Sequence, residues 1–200
     1  LRFVVFCQGC PHHCPGCHNP QTHDFAGGYD IDTDKIVAEI KKNPLLQGVT
    51  FSGGEPFCQP APLAELARKI HESGLDVTVY TGYTYEQLLE QHNPDTDALL
   101  QQADVLIDGR YEQDKRDLTL HFRGSSNQRV IDLRRGAGRC RAIGRRMNSA
   151  ALRSQMWERR AALFVAVRFC AVKKNDRRWT FREISAKIEI RTGDKRRLIF

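Results

Sequence analysis

Strand-like and helix-like segments alternate through the first half of the 200-residue chain. Four apolar runs rich in β-branched and aromatic residues predict buried strands at residues 2–8, 48–52, 76–81 and 104–108. Between them, apolar residues at helical spacing predict helices from Asp32 to Asn43 and at about 62–73, 84–92 and 95–102. This alternation is typical of a parallel sheet. We therefore expect an α/β fold over residues 1–133, with two further short strands at 118–123 and 129–133.

The loops that follow the four strands are unusual in composition. They are a Cys-, Gly- and Pro-rich loop after the first strand, Gly-Gly-Glu-Pro at 53–56, Thr-Gly-Tyr-Thr at 81–84 and Asp-Gly at 108–109. Right-handed crossovers place every strand-to-helix loop on the same edge of a parallel sheet. Active sites of α/β proteins lie at that carboxyl edge. We therefore expect these four loops to form one site.

Three cysteines in the first loop have C-x3-C-x2-C spacing: Cys10, Cys14 and Cys17. Three thiolates suit a [4Fe–4S] cluster, because three protein ligands leave the fourth iron open to another molecule. The spacing alone leaves two alternatives, a zinc ion with Cys7 as the fourth ligand and a thiol redox site. Cys58 is the nearby candidate for the fourth ligand of a ferredoxin-type cluster.

Five motifs together resemble a known family. They are Gly-Cys-Pro-His-His-Cys-Pro-Gly-Cys-His-Asn at 9–19, Phe-Ser-Gly-Gly-Glu-Pro at 51–56, Thr-Gly-Tyr-Thr at 81–84, Asp-Val-Leu-Ile-Asp-Gly at 104–109 and Arg-Gly-Ser-Ser-Asn-Gln at 123–128. The first two are similar to motifs of the radical S-adenosylmethionine (SAM) superfamily. All five, in this order, resemble the activating proteins of anaerobic (class III) ribonucleoside-triphosphate reductases. The resemblance covers residues 1–133 and implies a partial (β/α) barrel of the radical SAM type or an open α/β sheet.

The resemblance also implies the roles of particular residues. Cys10, Cys14 and Cys17 would bind three irons of a [4Fe–4S] cluster, and the fourth iron would chelate SAM. The residues expected to contact SAM are Gly16, Cys17, His18, Gly53, Gly54 and Glu55. Thr81 and Asp108 are weaker candidates for the ribose or the partner protein, and residues 123–128 for the rim of the site. We expect His12 and His13 to lie at the surface or to support the ligands, and no side chain to act as a catalytic acid or base.

The implied chemistry is one-electron cleavage of SAM to methionine and a 5′-deoxyadenosyl radical. That radical would remove a hydrogen atom from a glycine in the large subunit of anaerobic ribonucleotide reductase. A low-potential donor such as flavodoxin would supply the electron. One alternative is an activase of another glycyl-radical enzyme, of the formate-lyase type. A second is a zinc-binding module whose basic tail binds nucleic acid.

The charge of the chain divides at about residue 133. Residues 1–133 contain 11 Lys and Arg against 19 Asp and Glu, a net charge of −8, whereas residues 134–200 contain 20 against 5, a net charge of +15. Aromatic residues among the basic ones would permit nucleic-acid binding. The abrupt change in composition instead favours an appended segment, disordered or non-native, over residues 134–200. Within it we expect a helical stretch near 149–172 and weak strand alternation at 180–190.

The composition and the N-terminus bear on location. Four of the seven cysteines fall within residues 7–17, a distribution that fits metal or cluster binding in a reducing cytosol better than disulfides. No apolar run is long enough to span a membrane, and the first residues do not resemble a signal peptide. We therefore expect a cytoplasmic protein without membrane contact. Because the chain begins without Met and inside a predicted strand, we expect its natural N-terminus to lie upstream.

Overall fold

A computed structural model describes residues 1–134 and the backbone of residues 164–168. The strands are β1 (Arg2–Cys7), β2 (Gly48–Gly53), β3 (Asp76–Tyr80), β4 (Val105–Asp108), β5 (Arg129–Asp132) and β6 (Phe164–Arg168). The helices are α1 (Thr33–Lys41), α2 (Pro60–His71), α3 (Tyr85–Glu90) and α4 (Pro94–Gln102). Strands and helices alternate from β1 to β4, which confirms the predicted α/β class.

The strands form one open sheet in the order β5-β4-β3-β2-β1-β6. β1 to β4 are mutually parallel, and β6 runs parallel to β1 on its other side. β5 pairs with β4 in the antiparallel direction. Within the described part of the chain the sheet does not close, so the structure is an open sheet and the expected barrel is not confirmed.

The core lies between the helices and one face of this sheet. Alternate residues of each strand point into it, as the twofold repeat of a strand requires, and among them are Phe51 and Val79. Leu66 of α2 and Leu99 of α4 pack against the same cluster, and all four side chains are fully buried. Burying the apolar faces of the helices therefore fixes the positions of the strand ends.

Local sequence signals set the helix boundaries. Asp32 caps α1, its carboxylate accepting the backbone N–H of Asp34 at 2.7 Å. The predicted capping box begins α3: Thr84 Oγ1 accepts from Gln87 N at 3.2 Å, and Gln87 Oε1 accepts from Thr84 N at 2.9 Å. Gly74 follows α2 with a φ of 74°, a conformation that glycine adopts without cost.

Two sequence predictions are wrong. Residues 118–123 are not a strand but a turn, with Leu118 exposed and a single bridge between Arg116 and Ser125 on its flanks. Part of the stretch predicted to be helical near 149–172 is strand β6. Apolar runs this short fit a strand and a buried helix equally well, which explains the second error. The rest of that stretch and residues 180–190 lie outside the described residues.

The described residues include no helix with the length and apolar character needed to cross a bilayer.

Candidate functional site

The register of β1 and β2 brings two of the predicted loops together. Cys7 and Gly53, the last residues of these strands, are partners across the sheet. Beyond the strands, Gly54 N donates to Cys7 O and Glu55 N donates to Gly9 O, both at 2.8 Å. The cysteine loop (residues 8–24) and the glycine strap (residues 53–56) are therefore one hydrogen-bonded unit at the carboxyl edge of the sheet.

The three motif cysteines lie in this unit at different depths. Cys10 is buried, while Cys14 and Cys17 are partly exposed. Burial raises the pKa of the Cys10 thiol above its usual value, and the backbone N–H of His12 partly offsets this. Burial also raises the pKa of the Cys14 thiol, and a hydrogen bond from the backbone of Tyr111 partly offsets this rise. Because iron binds thiolates, binding of a cluster here releases protons.

Backbone N–H groups point at all three of these sulfurs, those of His12 and His13 at Cys10. Asn19 N donates to Cys17 Sγ at 3.4 Å, and the Tyr111 backbone does the same for Cys14. Such bonds stabilise thiolates and tune the potential of iron–sulfur clusters. His12 Nδ1 and Asn19 Oδ1 are buried polar atoms of the same loop without a protein partner. Three thiols with backbone donors, beside unpaired polar atoms, fit a cluster with three protein ligands.

The zinc alternative needs Cys7 as the fourth ligand, but Cys7 lies in the hydrophobic core and not in the cysteine loop. Its side chain is 4% exposed and belongs to the hydrophobic core, on the face of the sheet that the helices cover. Cys58 lies at the surface after the glycine strap. Over residues 1–134, no three His, Cys, Asp or Glu side chains are grouped around a single metal-ion position.

Gly53 and Gly54 allow a close approach of protein backbone. A Cβ at Gly54 would lie 2.5 Å from Gly9 O and 3.0 Å from Thr22 O. A Cβ at Gly53, where φ is 91°, would lie 2.8 Å from Cys7 O. The resemblance assigns both glycines to SAM contact; in the structure they have a further role, because only residues without a side chain let the strap lie against the cysteine loop.

Glu55 is 1% exposed, and its carboxylate accepts four hydrogen bonds from the protein. Oε1 accepts from Phe57 N at 3.0 Å and from Thr81 Oγ1 at 2.9 Å. Oε2 accepts from Gly82 N and pairs with His12 Nε2, both at 2.8 Å. This carboxylate therefore joins the cysteine loop, the strap and the loop after β3.

Gly16 and His18, expected to contact SAM, lie on the exposed side of the cysteine loop. Gly16 has a φ of 68°, which favours glycine. The His18 ring lies 5.0 Å from the ring of Tyr111, in the loop after β4. A cleft of about 340 Å³ runs between these loops and is lined by His12, Cys14, Pro15, Arg110, Tyr111, Glu112, Gln113 and Asp114.

Thr81 and Asp108 are both buried and engaged inside the protein. Besides donating to Glu55, Thr81 Oγ1 accepts from Tyr83 N at 3.1 Å. Asp108 is 1% exposed and accepts from Tyr85 N at 2.8 Å and from Arg129 Nε at 3.0 Å. These contacts connect loops at the carboxyl edge of the sheet. Thr81 and Asp108, which the sequence suggested as weaker candidates for ligand or partner contact, therefore stabilise the loops of the site.

Residues 123–128 close the loop after β4 onto itself. Gln128 Oε1 accepts from the backbone N–H of Gly124 at 2.9 Å and of Ser125 at 3.2 Å. Gln128 Nε2 donates to Gly109 O at 2.9 Å. A Cβ at Gly124 would lie 3.0 Å from the ring of Tyr111, which lines the cleft, so this segment borders the cleft.

His12 is the residue whose position the sequence did not reveal. Its side chain is 3% exposed and paired with Glu55, whereas His13 is exposed and stacks edge-on against His23. Nothing in the spacing distinguishes these two neighbouring histidines. A partner 43 residues away becomes visible only when the strands are paired.

The comparison with family models agrees with this geometry. Residues 1–131 match the model described as a 4Fe-4S single cluster domain. The fold and the cysteine loop thus define a protein with a domain for one iron–sulfur cluster.

Similarity to curated proteins identifies the family more specifically. A protein of Salmonella typhimurium is 37% identical over 141 residues, which cover 66% of this chain and 89% of that protein. A protein of Escherichia coli K12 is 35% identical over the same shares, and one of phage T4 is 32% identical over 64% of this chain and 82% of its own length. All three are named anaerobic ribonucleoside-triphosphate reductase-activating protein. The chain belongs to this family of activating proteins, as the motifs indicated.

Proposed function

We propose that this protein activates anaerobic ribonucleoside-triphosphate reductase by generating a glycyl radical in its large subunit. Cys10, Cys14 and Cys17 would bind a [4Fe–4S] cluster, and SAM would bind at its open iron. The residues proposed to contact SAM are Gly16, Cys17, His18, Gly53, Gly54 and Glu55. We propose that the protein acts in the cytoplasm. We do not propose that its basic extension, residues 134–200, binds nucleic acid.

The observation that best supports this function is the union of the cysteine loop with the glycine strap. Two 2.8 Å backbone hydrogen bonds join them directly after paired strand ends. SAM bound at the open iron would have to be held next to the three cysteines. The strap is the segment that lies next to them, so it is placed to contact SAM. The names of the relatives supply the reductase as partner.

The chemistry divides between cofactor and protein. A [4Fe–4S] cluster held by the three cysteines would provide the single electron for cleavage of SAM to methionine and a 5′-deoxyadenosyl radical, and this radical would remove a hydrogen atom from the glycine. A low-potential donor such as flavodoxin would supply the electron that reduces the cluster for each cleavage. This chain binds and orients: backbone N–H groups of Asn19 and Tyr111 stabilise the thiolates, and Glu55 fixes three loops in place. Orientation is the protein's part of such cofactor reactions.

Anaerobic reconstitution with iron and sulfide tests the proposal. We expect a brown protein with absorbance near 400 nm that bleaches with dithionite and converts SAM to 5′-deoxyadenosine. Mixed with the large subunit of an anaerobic ribonucleotide reductase, it should produce a glycyl-radical signal in electron paramagnetic resonance (EPR). Stoichiometric zinc without SAM cleavage would refute the proposal.

Matched variants and substrates sharpen this test. Cys14→Ala should abolish cluster binding, whereas Cys58→Ala, which removes a cysteine outside the motif, should keep it. A radical signal on a formate-lyase-type enzyme and none on the reductase would favour the alternative activase.

A further inference from the structure

The His12–Glu55 pair is buried at the centre of the site. His12 Nε2 lies 2.8 Å from Glu55 Oε2, and the two side chains are 3% and 1% exposed. Hydrogen bonds that involve a charged group are stronger than neutral ones. This pair is therefore a strong connection between the cysteine loop and the rest of the domain.

Glu55 is fixed independently of His12. Its other three hydrogen bonds come from Phe57, Thr81 and Gly82, in the turn after the strap and in the loop after β3. Both segments follow directly on central strands of the sheet. Loss of His12 would leave Glu55 in place, so in this pair the carboxylate is the anchor and the histidine is the anchored group.

The His12 ring is held on two further sides. The Tyr83 ring packs edge-on against it, with centroids 4.5 Å apart and planes at 71°. On another side, a Cβ at Gly82 would lie 2.3 Å from His12 Cδ2. The ring therefore occupies a slot made by the loop after β3. His12 itself lies two residues from both Cys10 and Cys14.

We propose that His12 is a positioning residue: by hydrogen-bonding Glu55, it holds residues 10–14 in the conformation that presents Cys10 and Cys14 for ligation. The inference rests on the proposed function, because it assigns the cysteines to a cluster. Glu55 of the strap would then have a second role besides contact with SAM: its hydrogen bond to His12 would hold the cluster ligands in position.

Two substitutions of His12 separate the tether from the imidazole ring. His12→Gln places an amide nitrogen as many bonds from Cβ as Nε2 and keeps a donor for Glu55. His12→Asn has its amide at the position of Nδ1 and does not reach Glu55. The control is His71→Asn, which removes another histidine–carboxylate pair, 3.0 Å from Asp104 and remote from the cysteine loop.

The first readout uses the protein without cluster. In hydrogen–deuterium exchange, we expect residues 10–17 of His12→Asn to exchange about tenfold faster than wild type, the factor that corresponds to about 1.4 kcal/mol. His12→Gln and His71→Asn should match wild type in this segment. Gly82→Ala should reproduce the effect of His12→Asn from the opposite side, because its methyl group displaces the ring.

The second readout uses the reconstituted protein. His12→Asn should retain less iron per chain and show an altered EPR spectrum of the reduced cluster, and His12→Gln should restore both. Equal exchange in His12→Asn and wild type would overturn the inference, as would a His12→Gln variant as impaired as His12→Asn. Failure of the wild type to bind a cluster would instead refute the proposed function, whatever the exchange data show.

Discussion

Gly54→Ala tests whether the glycine strap is required by the protein itself. The added Cβ would lie 2.5 Å from Gly9 O and 3.0 Å from both Gly9 C and Thr22 O. These are backbone atoms, so the clash is relieved only if the strap and the cysteine loop move apart. Overpacking of this kind costs about 1–3 kcal/mol. Stretching the two hydrogen bonds between strap and loop costs about 1 kcal/mol each, so we expect a loss of about 3–5 kcal/mol of stability.

The assay is urea unfolding of the protein without cluster or SAM, followed by circular dichroism under anaerobic conditions. Gly74→Ala is the matched control. A Cβ there meets no atom within 4 Å, and its φ of 74° makes alanine unfavourable by about 1–2 kcal/mol. If Gly54→Ala loses no more stability than Gly74→Ala and impairs only SAM binding, the reasoning is refuted. Gly54 would then be needed for binding SAM and not for packing the strap against the cysteine loop.

Three further outcomes follow from the structure. Cys10→Ala should lose the iron that Cys7→Ala retains, measured as iron per chain after reconstitution; equal retention would contradict the assignment of ligands. The hydrogen bonds from Arg129 lower the pKa of Glu86 to about 2, so this carboxylate stabilises the fold above its unfolded pKa and loses that effect as the pH falls towards 2. Because the side chain is 56% exposed, Glu86→Gln should cost under about 1 kcal/mol in urea unfolding at pH 7 and nothing near pH 2; a difference independent of pH would refute this. Thr84→Ala should cost about 0.5–2 kcal/mol by removing the cap of α3, and Thr84→Ser should restore it.

Much of the local structure of residues 1–134 was predictable, because it depends on near neighbours in sequence. Thr84 and Gln87 form the capping box that their spacing predicts. Strands β1 to β4 and helices α1 to α4 lie within a few residues of their predicted positions. The failure at residues 118–123 has a physical reason: Phe122 O accepts a hydrogen bond at 2.7 Å from the hydroxyl of Tyr80, 42 positions earlier in the chain, a contact that no local pattern encodes.

The family was also readable from sequence, since it depends on the order and spacing of motifs. C-x3-C-x2-C followed by Gly-Gly-Glu-Pro indicated an iron–sulfur protein before any fold was known, and the match of residues 1–131 to a single-cluster domain agrees. That the four unusual loops lie at one edge also followed from the handedness of parallel crossovers.

Only the tertiary structure decided how those loops are joined. The register of Cys7 with Gly53 sets the cysteine loop beside the strap, and this register arises from packing of the strand faces against α1, α2 and α4. The same packing buries Glu55 where it meets His12, 43 positions earlier in the chain. Sequence determined which residues could bind a cluster, because thiol chemistry and spacing are local properties. The long-range contacts decided which neighbours hold those residues in place, because burial and hydrogen bonding between distant segments exist only once the sheet has formed.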